Sequence, residues 1–572
     1  MPGFFVSNIS QTKQVVLNNY RQEKCIKDEI ILEEVVVKRN VLDTFQNDKI
    51  FVETDDLIIV IDGVIFNSSD IMKKFNCDVF SDAIINFAQE DELFFKQLDG
   101  SHSGAIYYKK TKCWYIYTNI LGDRAIFYYY NNGKYIIGSQ LNYITDCMKA
   151  LNIDRRLDIH GISCLIDYGF FLDDSTCIEN VKRLYPGEYI TIKDGKLDIK
   201  EYYLAEYSEV DTSVDDAIEK LDNAFCNAMK KIANKNNDYG YKNVLDISGG
   251  MDSRMICYTA KRLNLEESIL ISYSQSDSNE AQITKKIANE LGFDYYYKTL
   301  DNGKCLREID ELLFMNNGAS YYYGITGGKD FLEILDNRVV GMEFTGLLGD
   351  IYEGSFLTKT GLDKPALNME QYRGTRLLEA DSQYTFSNKL DKFKKNDTFW
   401  LYTRGMLAGM GTFFIRQNFI EPVTPYGDRD FLEVYLSIPW TTRVNERVLF
   451  KWFMSKYPAA AKIPYAATGI SPINDKTFFA KIKIRLLLYI KKGISLLQKK
   501  PLPHNMNPAK FWLRHEPALK DYIDRYYNEV MQNCKLPASV KEKIEILYND
   551  EKDFNNKAVA LTVLGYYKLF LA

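Results

Sequence analysis

The 572-residue chain has little histidine, no closely paired cysteines and no long apolar segment. Its four histidines lie far apart in the sequence, which argues against a histidine-based triad or a zinc site. The ten cysteines form no C-x-x-C pair, so we expect reduced, mostly buried thiols in a cytoplasmic protein. No run of about 18 apolar residues and no N-terminal leader pattern occurs, so we expect neither a membrane span nor secretion.

The charge is nearly balanced, with 72 basic and 77 acidic residues. This balance leaves no broad basic surface, and we therefore expect no nucleic-acid partner. The length predicts roughly three to four domains of ordinary size, or two large ones.

The first 203 residues contain short apolar or alternating runs separated by turn sequences, which is typical of β-strands and hairpins. After a polar stretch, apolar residues recur at helical spacing behind Ser213, which is a favourable N-cap. This change of period predicts a domain boundary near residue 205. The turn signals of the first region are Asp62-Gly63, Asp99-Gly100, Asn131-Asn132-Gly133 and Asp194-Gly195.

Strands alternate with helices from residue 240 onward. We predict strands at 244–247 and 268–273, and helices from 252 to about 263 and from 281 to 291, the latter closing at Gly292. This alternation predicts an α/β fold with a parallel sheet covered by helices. In such sheets a ligand lies beyond the carboxyl ends of the strands.

Residues 248–253, which read S-G-G-M-D-S, carry the strongest functional signal. They lie between a predicted strand and a predicted helix, where unpaired backbone N–H groups attract anions. Gly249 and Gly250 let the backbone approach a phosphate, and Ser248 and Ser253 add hydroxyl donors. Asp252 would repel a bare phosphate, so it predicts a magnesium ion between carboxylate and phosphate oxygens. The segment therefore predicts a site for Mg-ATP; an ordinary glycine-rich turn is the alternative.

A second acidic turn at residues 341–350 follows another apolar run. It contains Thr345 and Gly346 and ends at Asp350. We expect it to bring Asp350 opposite Asp252, so that both carboxylates hold the magnesium that grips pyrophosphate. An ordinary loop aspartate is the alternative.

The two turns resemble the motifs of ATP pyrophosphatases, and most of residues 40–470 resemble the asparagine synthetase-like family. S-G-G-x-D-S resembles the pyrophosphate loop, and T-G-L-L-G-D at 345–350 resembles the family's S-G-x-G-x-D segment. The resemblance implies a glutaminase-type (Ntn-type) αββα sandwich in residues 1–205. It also implies an ATP-binding synthetase domain in residues 206–572, with a helical extension from about 475. The other segments that match in order are 62–67, 98–100, 122–128, 183–187, 421–428, 437–439 and 446–451.

The sequence departs from the family at the glutaminase site. Members that hydrolyse glutamine carry a nucleophilic Cys at position two, where this chain has Pro2, which can form no thioester. Asp62 and Val64 replace the Asn and Glu of the family's glutamine pocket. Cys25 could be a substitute nucleophile, although an isolated cysteine is usually a structural thiol. We therefore expect an inactive glutaminase domain.

The resemblance implies a carbon–nitrogen ligase that adenylates a small-molecule or peptide carboxylate, releases pyrophosphate and forms an amide with ammonia or an amine. Arg447, where the family usually has Lys, and Lys451 would stabilise developing charge. Glu421 either positions the nucleophile or forms a buried structural pair. Arg254 either reaches the phosphates or faces solvent.

Several alternatives stay open at the sequence level. The chain could be a ring-forming ligase similar to β-lactam synthetases or lasso-peptide cyclases, an enzyme of polysaccharide amidation, or a nucleotide-binding pseudoenzyme. Residues 354–397 are either a substrate lid or a disordered insertion. Residues 481–500 carry seven basic and no acidic residues and form either a membrane-surface helix or a core-packing helix with a solvated basic face. A homodimer is left open.

Overall fold

A computed structural model describes residues 2–323, 328–352, 375, 377–378, 392–393, 395–444, 447–474 and 500–572. The two segments predicted as a lid (354–397) and as a basic helix (481–500) lie almost entirely outside the described residues.

Two antiparallel six-stranded sheets form the N-terminal part of the chain. The first sheet has the order β10-β8-β9-β1-β3-β2 and the second β12-β11-β7-β6-β5-β4. Their strands are β1 Gly3–Ser7, β2 Cys25–Ile31, β3 Val36–Leu42, β4 Phe51–Glu53, β5 Leu57–Ile65, β6 Gly100–Tyr108, β7 Cys113–Thr118, β8 Phe127–Asn131, β9 Lys134–Gly138, β10 Val181–Arg183, β11 Glu188–Lys193 and β12 Lys196–Glu201. The helices of this part are α1 Ser68–Phe75, α2 Phe80–Glu90, α3 Leu141–Ala150 and α4 Ile159–Tyr168.

The two sheets pack face to face, and helices cover both outer faces. The apolar cluster between the sheets joins Val6 and Val37 of the first sheet to Ile58 and Val60 of the second. Helices α1 and α2 bury side chains against the outer face of the second sheet. Helices α3 and α4 do the same on the first sheet. This layering confirms the predicted αββα sandwich.

Local turn chemistry explains two of the hairpins and contradicts a third. Asn132 and Gly133 join β8 to β9 with φ of 48° and 79°, and Asp194 and Gly195 join β11 to β12 with φ of 50° and 70°. Positive φ at both central residues is the hairpin geometry that Asn, Asp and Gly tolerate best. Asp62-Gly63, in contrast, lies inside strand β5, so the turn predicted there is wrong. Gly63 is needed for close packing, because a Cβ would lie 2.0 Å from the carbonyl oxygen of Ser101.

A five-stranded sheet forms the centre of the C-terminal part, in the order β15-β14-β13-β16-β17. All four strand pairs are parallel, which confirms the predicted sheet. Its strands are β13 Lys242–Asp246, β14 Ser268–Ser274, β15 Asp294–Thr299, β16 Val340–Phe344 and β17 Glu421–Val423. The chain extends the sheet first to one side of β13 and then to the other, so the switch point lies between β13 and β16.

The predicted helix ends are close to the observed ones. The side chain of Ser213 accepts a hydrogen bond from the backbone N–H of Asp216 and caps α5, as expected from its position. Gly292 ends α7 in the left-handed conformation at φ 73°. The helices of this part are α5 Val214–Asp238, α6 Met251–Arg262, α7 Asn279–Leu291, α8 Ile309–Met315, α9 Gly328–Leu332, α10 Gly349–Tyr352, α11 Asn396–Trp400, α12 Gly411–Arg416, α13 Arg429–Ser437, α14 Trp440–Val444, α15 Val448–Lys456, α16 Pro458–Lys462, α17 Ala509–His515, α18 Pro517–Asn533, α19 Ala538–Tyr548 and α20 Phe554–Tyr566, together with a π-helix at Leu401–Gly409.

Two of the apolar clusters extend across the predicted boundary near residue 205. One joins the first sheet to the C-terminal helices α17–α20, and the other joins Phe45 and Val64 to the helices around the parallel sheet. Seven of the ten cysteines are buried, in agreement with the expected packing of the thiols. Within the described part of the chain, none of the helices has the length and apolarity that a membrane crossing needs.

Candidate active site

The S-G-G-M-D-S loop lies at the carboxyl end of β13, directly before α6. Gly250 is the N-cap of α6, so the N–H groups of the helix's first turn face the loop. The loop therefore occupies the strand-to-helix turn at the switch point of the sheet, where α/β proteins bind ligands.

Hydrogen bonds inside the loop hold it in a tight turn. The hydroxyls of Ser248 and Ser253 lie 2.7 Å apart, and the backbone N–H of Ser248 donates to Ser253 Oγ at 2.9 Å. The backbone N–H of Gly249 donates to Oε1 of Glu280 at 2.7 Å. Burial raises the pKa of Glu280. One N–H of the predicted phosphate cradle is thus bound by a carboxylate from the first turn of α7.

The two glycines of the loop meet different surroundings. A Cβ on Gly249 would lie 2.3 Å from Cβ of Ala466 and 2.7 Å from Oε2 of Glu280, so only glycine fits there. A Cβ on Gly250 would meet only Ser248 Oγ, at 3.3 Å. Close packing against residues 465–466 thus explains Gly249, while Gly250 keeps an open side on which a phosphate can approach.

The second acidic turn packs against Asp252. A Cβ on Gly349 would lie 2.2 Å from Cγ of Asp252, and one on Gly346 would lie 3.1 Å from its Cβ. Asp350 follows Gly349 and is exposed, whereas Asp252 is half-buried. Because β16 neighbours β13, the two turns meet at the carboxyl ends of these strands, while the joint use of Asp252 and Asp350 stays a prediction.

Two cavities lie on either side of the loop and share Ser248, Gly250, Asp252, Glu280 and Met506 as lining residues. The outer cavity has a volume of about 550 Å³ and also includes Arg443, Arg447, Tyr465 and His504. The inner cavity has a volume of about 260 Å³ and also includes Asp246, Ser253, Tyr273, Thr345, Gly346 and Arg416.

A buried charged cluster forms the floor of the inner cavity. Arg416 pairs with Asp246 at 3.0 Å and with Glu343, and it donates to the hydroxyl of Tyr273 at 3.0 Å. Burial together with the charge of Asp246 raises the pKa of Glu343 to about 8. Burial alone would lower the pKa of Arg416, but the two carboxylates raise it. Because the raised pKa keeps Glu343 protonated near neutral pH, Asp246 and Arg416 balance each other, and the floor carries no excess positive charge that would attract phosphate.

The predicted cationic residues come from α15 and the residue before it. Arg447 lines the outer cavity, is exposed, and has its guanidinium over the ring of Phe450 at 4.6 Å. Lys451 lies one turn further along α15 and lines neither cavity. Arg443 lines the outer cavity as well and pairs with Asp397. Glu446, part of the resemblance at 446–451, lies outside the described residues.

Two predicted site residues lie away from both cavities. Arg254 is fully buried and donates to the backbone carbonyls of Ile463 at 2.7 Å and Pro464 at 2.6 Å. Both predicted positions, on the phosphates and in solvent, are therefore wrong. Glu421 on β17 is buried and pairs with Lys49 at 2.8 Å and with Arg124. Glu421 thus forms the buried structural pair, which was one of its two predicted roles, and lies outside the cavities in which a substrate would bind.

Several lining residues could not be found from the sequence. Glu280 follows the Ser278 cap of α7 by two residues, and Asp246 precedes the loop by two, but neither stands in a motif. Arg416, Tyr273 and His504 reach the loop only through the fold. Their one shared signal is a titratable or aromatic side chain at the end of an element, which many surface residues also show.

Among the described residues of the N-terminal part, Pro2, Asp62 and Cys25 are poorly suited to glutamine hydrolysis. Pro2 is buried at the start of β1. Asp62 pairs with Arg124 at 3.0 Å inside the sandwich. Cys25 is half-buried on β2, and burial raises the pKa of its thiol, which makes it a poor nucleophile.

Comparison with known proteins agrees with this two-part architecture. Residues 38–203 match a family model described as a glutamine amidotransferase domain. Residues 242–320, which include the loop at 248–253, match the asparagine synthase family model. Over these two segments the chain is similar to the asparagine synthetase-like family. The second match ends before the turn at 345–350, so that turn is linked to the family by its sequence resemblance and by its place beside the loop.

One relative is a putative glutamine-hydrolysing asparagine synthetase 2 of Methanocaldococcus jannaschii, 24% identical over 156 residues. The aligned part spans 26% of this chain and 30% of that relative. Two solved structures cover 52% of the chain: an allosteric regulatory enzyme of purine biosynthesis (TM-score 0.24, 10% identity, 74% of that chain) and glutamine phosphoribosylpyrophosphate amidotransferase from B. subtilis with ADP and GMP (TM-score 0.23, 8% identity, 75% of that chain). At these scores the structural likeness carries no argument.

Proposed function

We propose that this chain is an ATP-dependent carbon–nitrogen ligase that adenylates a carboxylate and transfers the acyl group to ammonia or an amine. The observation that carries the proposal is the contact between the two acidic turns at the carboxyl ends of β13 and β16, where Gly349 packs against Asp252. The match of residues 242–320 to the asparagine synthase family supports it. Gly346 and Gly349 both lie against Asp252, and two unrelated loops would not need a glycine at both of these positions.

The two cavities differ in charge, and this difference orients ATP. Beneath the inner cavity the single Arg416 is paired with Asp246 and Glu343, so among the described residues no free positive charge attracts phosphate there, and the cavity suits the uncharged nucleoside. The outer cavity carries the exposed Arg447, which attracts the phosphates, whereas Arg443 in the same wall is paired with Asp397. The β- and γ-phosphates then lie over Ser248 and Gly250, at the N-terminus of α6 and on the side of Arg447. The pyrophosphate departs from this position.

Magnesium fits the acidic edge of the site, because Asp252 and Asp350 offer the carboxylate oxygens that this ion prefers. Among the described residues there is no group of three or more acidic, histidine or cysteine side chains placed to hold a metal ion by itself, so phosphate oxygens and water would complete the coordination. When bound, the ion would neutralise the charge of the pyrophosphate leaving group. The protein's own part is to hold both carboxylates beside the loop.

The amine comes from solution in this proposal. Pro2 lacks a thiol and Asp62 is bound by Arg124, so the sandwich releases no ammonia from glutamine. Ammonia, an organic amine or an amine within the same substrate molecule, which would close a ring, are the candidate nucleophiles. The carboxylate belongs to a small molecule or a peptide.

Asparagine substitutions at the two acids test the proposal. Asp252→Asn and Asp350→Asn should each lower carboxylate-dependent pyrophosphate release by roughly 100-fold or more, because several kcal/mol of charge stabilisation are lost. Pyrophosphate release is measured with the proteinogenic amino acids and glucuronate as carboxylates. Exposed Asp294, at the start of edge strand β15, supplies the control variant Asp294→Asn, which should keep its rate. Undiminished turnover in either site variant, with an unchanged melting temperature, would refute the assignment of these two acids.

A further inference from the structure

A short segment near the C-terminus, residues 502–507, lies across the mouth of the site; we name it the C-terminal strap. The backbone N–H of Asn279 donates to the carbonyl of Pro503 at 2.6 Å, and the N–H of Gln275 donates to that of Met506 at 2.8 Å. Trp512 Nε1 donates to Oε1 of Gln275 at 2.7 Å. These bonds fix the strap to the connection between β14 and α7. The same connection leads to Glu280, which accepts the N–H of Gly249 in the loop.

The strap places His504 in the wall of the outer cavity. This cavity also includes Ser248 and Asp252 of the loop and Arg447 before α15. Met506, two residues further on, lines both cavities. A ligand that extends from the loop into the outer cavity therefore passes the imidazole of His504.

The other ionisable groups that line the outer cavity are unsuited to accept a proton. Asp252 belongs to the proposed magnesium site, and Glu280 already accepts the N–H of Gly249. The guanidinium groups of Arg443 and Arg447 and the hydroxyl of Tyr465 are hydrogen-bond donors and not bases. Histidine is the one side chain of the set whose ordinary pKa, about 6.5, leaves it uncharged and basic just above neutral pH.

We propose that His504 is the catalytic base of the amide-forming step, an inference that rests on the proposed function. The nitrogen of the amine attacks the acyl carbon of the adenylate and forms the new C–N bond. The bond between that carbon and the phosphate oxygen breaks, and AMP leaves with its electron pair. The imidazole of His504 accepts the proton that the amine nitrogen loses. The C-terminal strap thus completes the active site.

The test compares two nucleophiles in the full-length protein. Ammonium must lose a proton before it can react, whereas hydroxylamine is a strong nucleophile that is uncharged at neutral pH. His504→Gln should lower ammonium-dependent amide formation by about 100-fold or more, the usual contribution of a general base. It should leave single-turnover pyrophosphate release unchanged and should lower hydroxamate formation much less than amide formation, because hydroxylamine is already uncharged and is the stronger nucleophile. After the rise in free ammonia with pH is divided out, the acid limb that the imidazole contributes to the pH–rate profile should also disappear.

Exposed His515, at the end of α17, supplies the matched control His515→Gln, which should behave as the wild type. His504→Asn serves as a second variant with another shape. Wild-type rates with ammonium in both His504 variants would overturn the proposal, and so would an equal loss of ammonium, hydroxylamine and pyrophosphate activities. If the wild type releases no pyrophosphate with any carboxylate of the panel, the proposed function fails and this inference fails with it.

Discussion

Asp246, Glu343 and Arg416 form a buried group on the floor of the inner cavity, in which two carboxyl groups share one guanidinium. Glu343 is completely buried, and Asp246 and Arg416 are its charged neighbours. One guanidinium can neutralise only one of the two carboxylates. The second carboxylate is therefore most stable when it is protonated, and this is why the pKa of Glu343 rises to about 8.

This shift predicts a pH dependence of stability. The ordinary pKa of Glu343 is 4.5 and its folded value is about 8. Between these values the folded protein holds a proton that the unfolded chain releases, so the free energy of unfolding falls as the pH rises. Glu343→Gln cannot titrate and should lose less stability from about pH 5 to about pH 8 than the wild type.

Thermal unfolding at both pH values checks this prediction. The exposed Glu542 of α19 gives the control Glu542→Gln, which should keep the wild-type slope. An identical slope in Glu343→Gln would show that the carboxylate is already ionised in the folded protein.

The local residue pattern predicted the loop, its serines and both acids, because each of these contributes through its own position in the sequence. Arg254 shows where such reasoning ends. An arginine beside a phosphate loop is a natural phosphate ligand, yet here it donates to backbone carbonyls of residues 460–464, about 200 positions away. The choice between a phosphate and a buried carbonyl depends on tertiary contacts that no local pattern contains.

At the scale of elements, the turn between β16 and α10 is shaped by what it must pack against. The backbone of Gly349 approaches the carboxylate of Asp252, and a Cβ there would come to 2.2 Å from Cγ. The glycine thus keeps the two acidic turns together. This contact couples the geometry of the second turn to that of the first.

Gly349→Ala should therefore displace Asp252 or the second turn and lower pyrophosphate release by roughly 10-fold or more, since a misplacement of about 1 Å is costly in catalysis. The control is Gly138→Ala on β9 of the sandwich, away from both turns, where the nearest atom is the carbonyl oxygen of Phe4, at 3.3 Å. Steady-state kinetics compare the two variants. Wild-type kinetics in Gly349→Ala would mean that the close approach has no role in the chemistry.

The regular elements were largely predictable because their signals are local. The Ser213 cap, the Gly292 terminus and the hairpins at Asn132-Gly133 and Asp194-Gly195 follow from intrinsic turn and capping preferences. Asp62-Gly63 has the same local signal but continues strand β5. Gly63 is required there because β6 lies too close for a side chain, and the pairing of strands is a long-range property that a local pattern does not contain.

At the scale of the whole molecule, a buried ion-pair network joins the sandwich to the parallel sheet. Lys49 and Arg124 from the sandwich both contact Glu421 on β17, and Arg124 also contacts Asp62. Burial lowers the pKa of Lys49 to about 8. The partners Lys49 and Glu421 are 372 positions apart, so this interface could not be foreseen from the sequence.

Glu421→Gln should destabilise the protein by about 3–5 kcal/mol, because it leaves two buried cations short of a partner. Pyrophosphate release per folded molecule should stay at the wild-type level, since Glu421 lies outside both cavities. Calorimetry and kinetics on the same sample check both parts, with the exposed Glu433→Gln of α13 as control. A loss of turnover without a loss of stability would restore the catalytic role for Glu421.

Identification of the nucleotide products tests the central claim most directly. If the site formed by the 248–253 loop and Asp350 activates a carboxylate by attack on the α-phosphorus, the products are AMP and pyrophosphate. A kinase-type site exposes the γ-phosphorus instead and yields ADP. The protein is incubated with Mg-ATP, ammonium and the carboxylate panel, and the nucleotides are separated by chromatography. AMP and pyrophosphate in equal amounts are the predicted result, whereas ADP with orthophosphate as the dominant products would contradict the adenylation mechanism.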